Sequence, residues 1–468
     1  MAYMKYENNK VSDIKLAYIG GGSRGWAWGF MSDLVAADDI GGEVRLYDID
    51  NDAAKRNEII GNKYNGAEGA KSHWNYVVKD SLQGALTGAD FVIISILPGT
   101  FDEMESDVHT PEKYGIYQSV GDTVGAGGIV RALRTMPMYE EIGLAIKNYC
   151  PKAWVINYTN PMTVCVRTLY RVFPEIKAFG CCHEVFGTQK FLVKALEEIE
   201  GIKAESRADI KINVVGVNHF TWITEAKYKN IDMFDVYKRF VDKYADEGFC
   251  EKVDDNWMNN GFATSEMVKM DLFKRYGYIA AAGDRHLAEF CPGRWYLKDR
   301  ETVEKRWKFG LTSVKWRKDD LRARYKRSDD LISGKEPVEL KHTGEDGVTQ
   351  IRALLGLTEL TTNVNIPNKG QIPNLPLGAV VETNAVFRAD EVTPVFAGNI
   401  PMPIYALIAR IVGEQEEVVK AGAEKNLDRA FNAFLNDPQL SYIGFDDAKK
   451  LWDEMIKNTE KYLTMYKK

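Results

Sequence analysis

Gly20-Gly21-Gly22-Ser23-Arg24-Gly25 closes the apolar run that begins at Ile14, and it restricts what the chain can fold into more than any other feature. Glycines at this spacing allow a tight turn, close backbone approach to an anion, and close helix–strand packing. A helix expected from Trp26 would turn its N-terminus toward that anion. Asp48 ends the next apolar run, Val44–Asp48, 23 residues beyond Gly25. A carboxylate there binds ribose hydroxyls and repels a 2′-phosphate, which points to NAD rather than NADP. Gly20, Gly22, Ser23, Gly25 and Asp48 are the expected contacts. A lone glycine run also suits an ordinary turn in another α/β protein; the strand before it, the helix after it and Asp48 make the difference.

The surrounding pattern agrees. Phe91–Leu97 reads as a third strand, with a helix over Asp52–Lys63 between it and the second and Gly84–Asp90 leading in. Ala153–Asn157 and Ala178–Cys182 read as later strands, and Met138–Tyr149 as a helix before them. Strands alternating with helices imply a parallel sheet, so the expected class is α/β with an N-terminal Rossmann-like doubly wound sheet. Beyond about residue 200 the pattern changes. A strand at Ile210–Gly216 precedes helices at about Ile231–Asp246 and Thr264–Tyr276. A Pro- and Gly-rich loop follows at Asn365–Gly378, then a mainly helical tail over Ile404–Lys468. The expected division is 1–195 for the dinucleotide domain and 196–468 for an α+β domain.

Composition narrows the function. In 468 residues, 45% hydrophobic and 27% charged content is globular and excludes disorder. A net charge of −6 argues against a general polyanion binder. Ten basic residues lie within Lys305–Arg327 beside Trp307, Trp316 and Tyr325, but in an acidic chain they read as a solvated helical face, not a nucleic-acid surface. No apolar run is long enough for a bilayer, and the first residues are too polar for a signal peptide. Six cysteines are too few for a disulfide framework. Reduced thiols in a cytoplasm are expected, with neither membrane nor nucleic-acid partners.

Several polar segments fall at strand ends, where ligands bind in such folds. Cys182-His183-Glu184-Val185 ends one strand and Asn218-His219-Phe220 another. A thiolate and an imidazole from two strand ends can hold one divalent ion, although a buried Cys and a bonded His are more often structural. Asn157-Tyr158-Thr159-Asn160-Pro161-Met162 presents amides or caps a helix. Ser119–Arg134 carries Asp122, Arg131 and Arg134, and orders around a ligand or turns into a helix. Gly283–Glu289 puts Asp284, Arg285 and His286 together, as proton transfer and anion recognition require, or as a solvated helix start would.

Taken together, GGGSRG, NYTNPM, CHEV, NHF and GDRHLAEF resemble glycoside hydrolase family 4, the NAD- and metal-dependent glycosidases related to lactate and malate dehydrogenases. CHEV at Cys182–Val185 looks most like the α-galacturonidase subgroup, with α-glucuronidase, α-glucosidase or α-galactosidase as neighbours. The resemblance implies NAD used without net redox change, with transient oxidation at C3 of the sugar, elimination across C1–C2, and water addition. It implies one Mn2+ per subunit, with Cys182 and His219 as metal ligands and Asn157 as a substrate amide. His183 or Glu184 would donate the proton. Asp122 would tune a base found among Tyr276, Tyr278 and Asp284. Arg285, then Arg131, suits a substrate carboxylate, since a planar fork binds one bidentately. A small galacturonide or oligosaccharide is the implied substrate, and the second domain would build dimer or tetramer contacts. The competing class is a hydroxy-acid dehydrogenase, which would need no metal-binding thiol.

Overall fold

A computed structural model of the chain describes residues 4–250 and 264–466; the last residues of the expected helical tail, 467–468, lie outside them. Along the second strand, Leu16 and Tyr18 face one apolar core while Ala17 and Ile19 face another. Apolar side chains on both faces are what a parallel sheet covered on both sides requires. In chain order the strands are β1 (Lys5–Glu7), β2 (Lys10–Ile19), β3 (Ile40–Tyr47), β4 (Trp74–Val78), β5 (Phe91–Ile94), β6 (Trp154–Asn157) and β7 (Lys177–Gly180). They continue as β8 (Ile210–Val217), β9 (Phe220–Tyr228), β10 (Ile231–Asp232), β11 (Ile279–Ala280), β12 (Leu360–Pro367), β13 (Val380–Arg388) and β14 (Glu391–Pro394).

The ten-stranded sheet runs β14-β13-β12-β7-β6-β5-β2-β3-β4, with β1 paired to β2. β4 through β7 around β2 are parallel, in the doubly wound order. The strand order reverses between β2 and β5, which opens a crevice beyond their C-terminal ends. The second half of the chain then returns: β12 joins β7 antiparallel through Asn365 and Gly180, and β13 and β14 extend that edge. A smaller antiparallel sheet is centred on β9. Its core continues through Trp222, Phe240, Leu272 and Ile408.

The expected strands and helices are present, with differences that packing explains. β4 was not anticipated; Tyr76 on it is buried under Gly61, where an added Cβ would lie 2.6 Å from the Tyr76 ring. The helix expected at Met138 starts at Gly125 and runs to Tyr149, through three glycines and past Pro137. Small residues are needed there: a Cβ on Gly127 would meet the Asp107 carbonyl oxygen at 2.7 Å. The division expected at residue 195 falls inside the helix Glu184–Glu200. From Val314 onward the basic stretch lies in the helix Val314–Ser333, where Lys318, Arg322, Arg324 and Arg327 pair with carboxylates; Lys305 and Arg306 belong to the short helical segment Thr302–Trp307. No helix among the described residues is long and apolar enough to cross a membrane.

Candidate active site

The glycine loop closes as its sequence requires. Gly20 has φ 93°, and a Cβ there would lie 2.0 Å from the Ser95 carbonyl oxygen. Ser23 N–H donates to Gly20 O at 3.0 Å, and the helix Trp26–Ala36 begins directly after Gly25. Asp48 stands at the end of β3: its Oδ2 accepts from Gly22 N at 2.8 Å and its Oδ1 from Asp50 N at 2.9 Å. Buried Asn57 braces the loop from below, donating to the carbonyls of Gly21 and Ser23 at 2.7 and 2.9 Å. Asn57 was not singled out from the sequence, because an Asn inside a helix carries no mark of its partners.

In the smaller sheet, a two-residue turn joins β8 to β9 and carries Asn218 and His219. His219 has φ 65°, a left-handed conformation that a non-glycine residue adopts at a cost and that concentrates at functional sites. Its ring stacks on His286, from the helix Asp284–Phe290, with centroids 3.7 Å apart. Asp122 joins them from the loop before Gly125. One ligand atom from each of Asp122, His219 and His286 lies within 4.8 Å of the others. Thr123 links the group, its Oγ1 2.9 Å from His219 Nδ1 and donating to Asp122 Oδ1 at 2.6 Å.

Electrostatics sort the roles. Burial, then the neighbouring His286, hold the His219 imidazole down at about 3, and burial also lowers His286. Neutral rings are ready to accept a cation. Burial alone would raise Glu184, but the imidazoles of His286, His219 and His183 outweigh it and hold the carboxyl at about 2. Glu184 Oε2 also accepts from Gly283 N at 2.7 Å. His183 is the opposite case. Its Nδ1 lies 2.8 Å from Glu345 Oε1, and that hydrogen bond raises the imidazole above its ordinary value. Of the two expected proton donors, His183 is the one shifted toward its protonated form and Glu184 the one shifted toward its anion.

The other expected residues are dispersed. Cys182 lies outside the three-donor set; burial and the carboxyls of Glu382 and Glu184 push its thiol well up, with Asn218 acting in the opposite direction. Ligation through this sulfur would therefore release a proton. Asn157 is fully buried, with its Oδ1 accepting from Tyr139 Oη and its Nδ2 donating to Thr159 O, so its amide is spent within the protein. Asn160 is the amide of that segment that reaches the cluster, 3.4 Å from Asp122 Oδ2. Tyr276 packs edge-on against Trp222, and its titratable neighbours are Cys291, Arg275 and Asp271. Asp284 accepts from the backbone N–H of Val268 and Lys269, both at 3.0 Å, at the start of the helix Met267–Tyr276. Neither Tyr276 nor Asp284 joins the cluster. Arg131 Nε donates to Asn160 O at 3.0 Å, and Arg285 Nη2 to Ser119 O and Thr312 Oγ1.

Residues 15–198 match the family 4 glycosyl hydrolase domain, and residues 214–440 match the C-terminal domain of the same family. The chain belongs to family 4 of the glycosyl hydrolases. It is 62% identical to the α-galacturonidase of Thermoanaerobacterium saccharolyticum (strain DSM 8691 / JW/SL-YS485) over 99% of both chains. It is 50% identical to the α-galacturonidase of Bacillus subtilis (strain 168), over 95% of this chain and 97% of that one. Among solved structures, lplD from Bacillus subtilis superposes with a TM-score of 0.90 at 50% identity, covering 95% of this chain and all of the other.

For a family 4 glycosyl hydrolase the carboxylates are informative. Most glycosidases need one carboxyl with a raised pKa as general acid; the NAD-dependent glycosidases of family 4 are a known exception. Here Asp122 and Glu184 are both held below their ordinary values, chiefly against burial by the adjacent imidazoles and, for Asp122, by Arg131. Neither is poised as that acid.

Proposed function

We propose that this family 4 enzyme is an α-galacturonidase, acting on α-linked galacturonides or small oligosaccharides with NAD and one divalent cation per subunit, manganese by family resemblance. The observation that carries the reading is the convergence of Asp122, His219 and His286 within 4.8 Å, in a chain 62% identical to an α-galacturonidase.

The residues present fit both groups. Gly22 N and Asp48 set the loop and the ribose carboxylate together, 2.8 Å apart. Buried His286 Nδ1 has no hydrogen-bond partner among the described residues, as expected of a ring nitrogen reserved for a cation. His219, Asp122 and His286 would hold the cation, with the Cys182 thiolate as the further ligand that the family resemblance implies. When bound, the nicotinamide supplies a hydride acceptor and the cation a Lewis acid for the sugar hydroxyl oxygens. His183, raised above its ordinary value by its hydrogen bond to Glu345, is the proton donor to the departing glycosidic oxygen. Glu184, kept anionic, steadies the adjacent imidazoles. Thr123 fixes the His219 ring, and Asn160 orients Asp122. Arg285 and Arg131 offer guanidinium forks to the substrate carboxylate.

The reading extends to a cytoplasmic homo-oligomer, a dimer or tetramer. Cys150, Cys165, Cys181, Cys182 and Cys291 form no disulfide among the described residues, as a reducing compartment permits.

The test is p-nitrophenol release from α-galacturonide, α-glucuronide, α-galactoside and α-glucoside in reducing buffer with NAD and Mn2+. Turnover of the galacturonide far beyond the NAD supplied is expected. NADH accumulating from a hydroxy acid without hydrolysis would overturn the reading in favour of a dehydrogenase.

A further inference from the structure

We infer that Arg324, on the helix Val314–Ser333, is a positioning residue for the cofactor: from the second domain it holds the Arg24–Gly25 peptide so that the Gly25 N–H is offered to a dinucleotide phosphate. The inference rests on the NAD site and not on the choice of sugar.

The glycine loop and this helix are 300 residues apart in the chain and meet at Arg24. Arg324 Nη1 donates to Arg24 O at 2.6 Å, and its Nε donates to Asp320 Oδ2 at 2.7 Å. Asp320 is buried, so the guanidinium is aimed by a fixed partner on its own helix. The next residue, Tyr325, takes the other end of Arg24: that guanidinium lies over the Tyr325 ring, 4.0 Å from its centroid. Consecutive residues of one helix thus grip the carbonyl and the side chain of one loop residue. The helix is moored in turn to the helix Asn51–Tyr64, where Arg56 Nε donates to Ser328 Oγ at 3.1 Å and Lys63 Nζ to Leu331 O at 2.8 Å. Both grips come from the part of the chain that matches the family's C-terminal domain.

Gly25 shows what the contact does. It has φ 142°, and a Cβ built on it would lie 2.1 Å from Arg324 Nη1. The third glycine of such a loop ordinarily permits close helix–strand packing. Here the space that a side chain would need holds a guanidinium from the other domain. A peptide unit is planar and trans, so its C=O and N–H point in opposite directions. With the Arg24 carbonyl turned to Arg324, the Gly25 N–H is turned away from it, at the start of the helix Trp26–Ala36. Asn57 holds the preceding peptide in the same manner, donating to Ser23 O at 2.9 Å. Gly25 has no side chain to cap the helix, and the first N–H groups of a helix suit an anion. Without the Arg324 bond the peptide can rotate, and a bound phosphate has to order it.

The experiment titrates wild type, R324M, R324K, Y325A and Y325F with NADH, followed by fluorescence, and with Mn2+, followed by electron paramagnetic resonance. For R324M, NADH affinity should fall about 10-fold, as for loss of one hydrogen bond to a charged group, while Mn2+ affinity holds. R324K can still donate to the carbonyl and should recover part of the loss. In hydrolysis the R324M defect should lie in KM for NAD rather than in kcat. Y325A, which also serves if R324M does not fold, should weaken NADH by about 3-fold, the scale of an exposed cation–π contact, and Y325F should restore it. NADH affinity unaltered in R324M and Y325A, or NADH and Mn2+ weakened alike, overturns the assignment and leaves the galacturonidase reading standing. A wild-type enzyme that binds no NADH overturns both.

Discussion

The imidazole of His286 lies on that of His219, ring centroids 3.7 Å apart and planes inclined by 29°. Two cations could not share that separation in a buried site, and burial holds both rings neutral. Stacking therefore presents two imidazole donors to one position, with Asp122 as a third. His286→Ala should weaken Mn2+ binding by about 10-fold or more, in the range seen when groups supporting a metal site are removed. Mn2+ titration followed by electron paramagnetic resonance reads this directly. Unchanged affinity would remove His286 from the donor set.

Glu289 positions the Asp122 loop. Its Oε1 accepts from Val120 N at 2.7 Å and from Gly121 N at 2.9 Å, and the residue is fully buried. Burial raises its carboxyl from 4.5 to about 8, outweighing the two amides that favour the charged form. A carboxyl raised on folding contributes stability that is complete below its unfolded pKa and lost as pH rises through the folded value. Wild-type thermal stability should therefore decline between about pH 5 and 8 through this group, and Glu289→Gln should flatten that decline. Glu289→Leu, which abandons two buried amides, should cost roughly 1–3 kcal/mol and lower kcat. Melting curves across pH, with kinetics at neutral pH, test both.

Arg134 and Asp107 form a fully buried pair, Arg134 Nη1 donating to Asp107 Oδ1 at 3.0 Å and Nε to Pro98 O at 2.9 Å. Removing one partner leaves the other charge stranded. Asp107→Ala should destabilise the protein by about 3–5 kcal/mol. Urea denaturation measures it, and a loss under 1 kcal/mol would contradict the argument.

Asp48 carries the cofactor preference. Asp48→Ser removes both the ribose acceptor and the charge that repels a 2′-phosphate. NAD should bind about 10-fold more weakly, the worth of one charge-assisted bond, while NADP should gain on it. Fluorescence titration with NADH and NADPH gives both constants, and an unaltered ratio would count against the assignment.

The glycine loop, the strands around it and Asp48 were legible in the chain, because turn chemistry and two-residue periodicity act within a few residues. So were CHEV and NHF as strand-end segments, and the family they resemble. The roles within the segment Gly283–Glu289 were not. Side chains two positions apart on a helix point about 200° apart, since each residue turns about 100°. Asp284 thus faces the amides of Val268 and Lys269 while His286 faces His219.

Local sequence was sufficient for the dinucleotide fold, because a tight glycine turn between strand and helix is specified by contiguous residues. The site was settled at longer range. Asp122, His219 and His286 stand on a loop, a hairpin and a short helix far apart along the chain, and only the packing of the second domain against the sheet edge closes the distance between them.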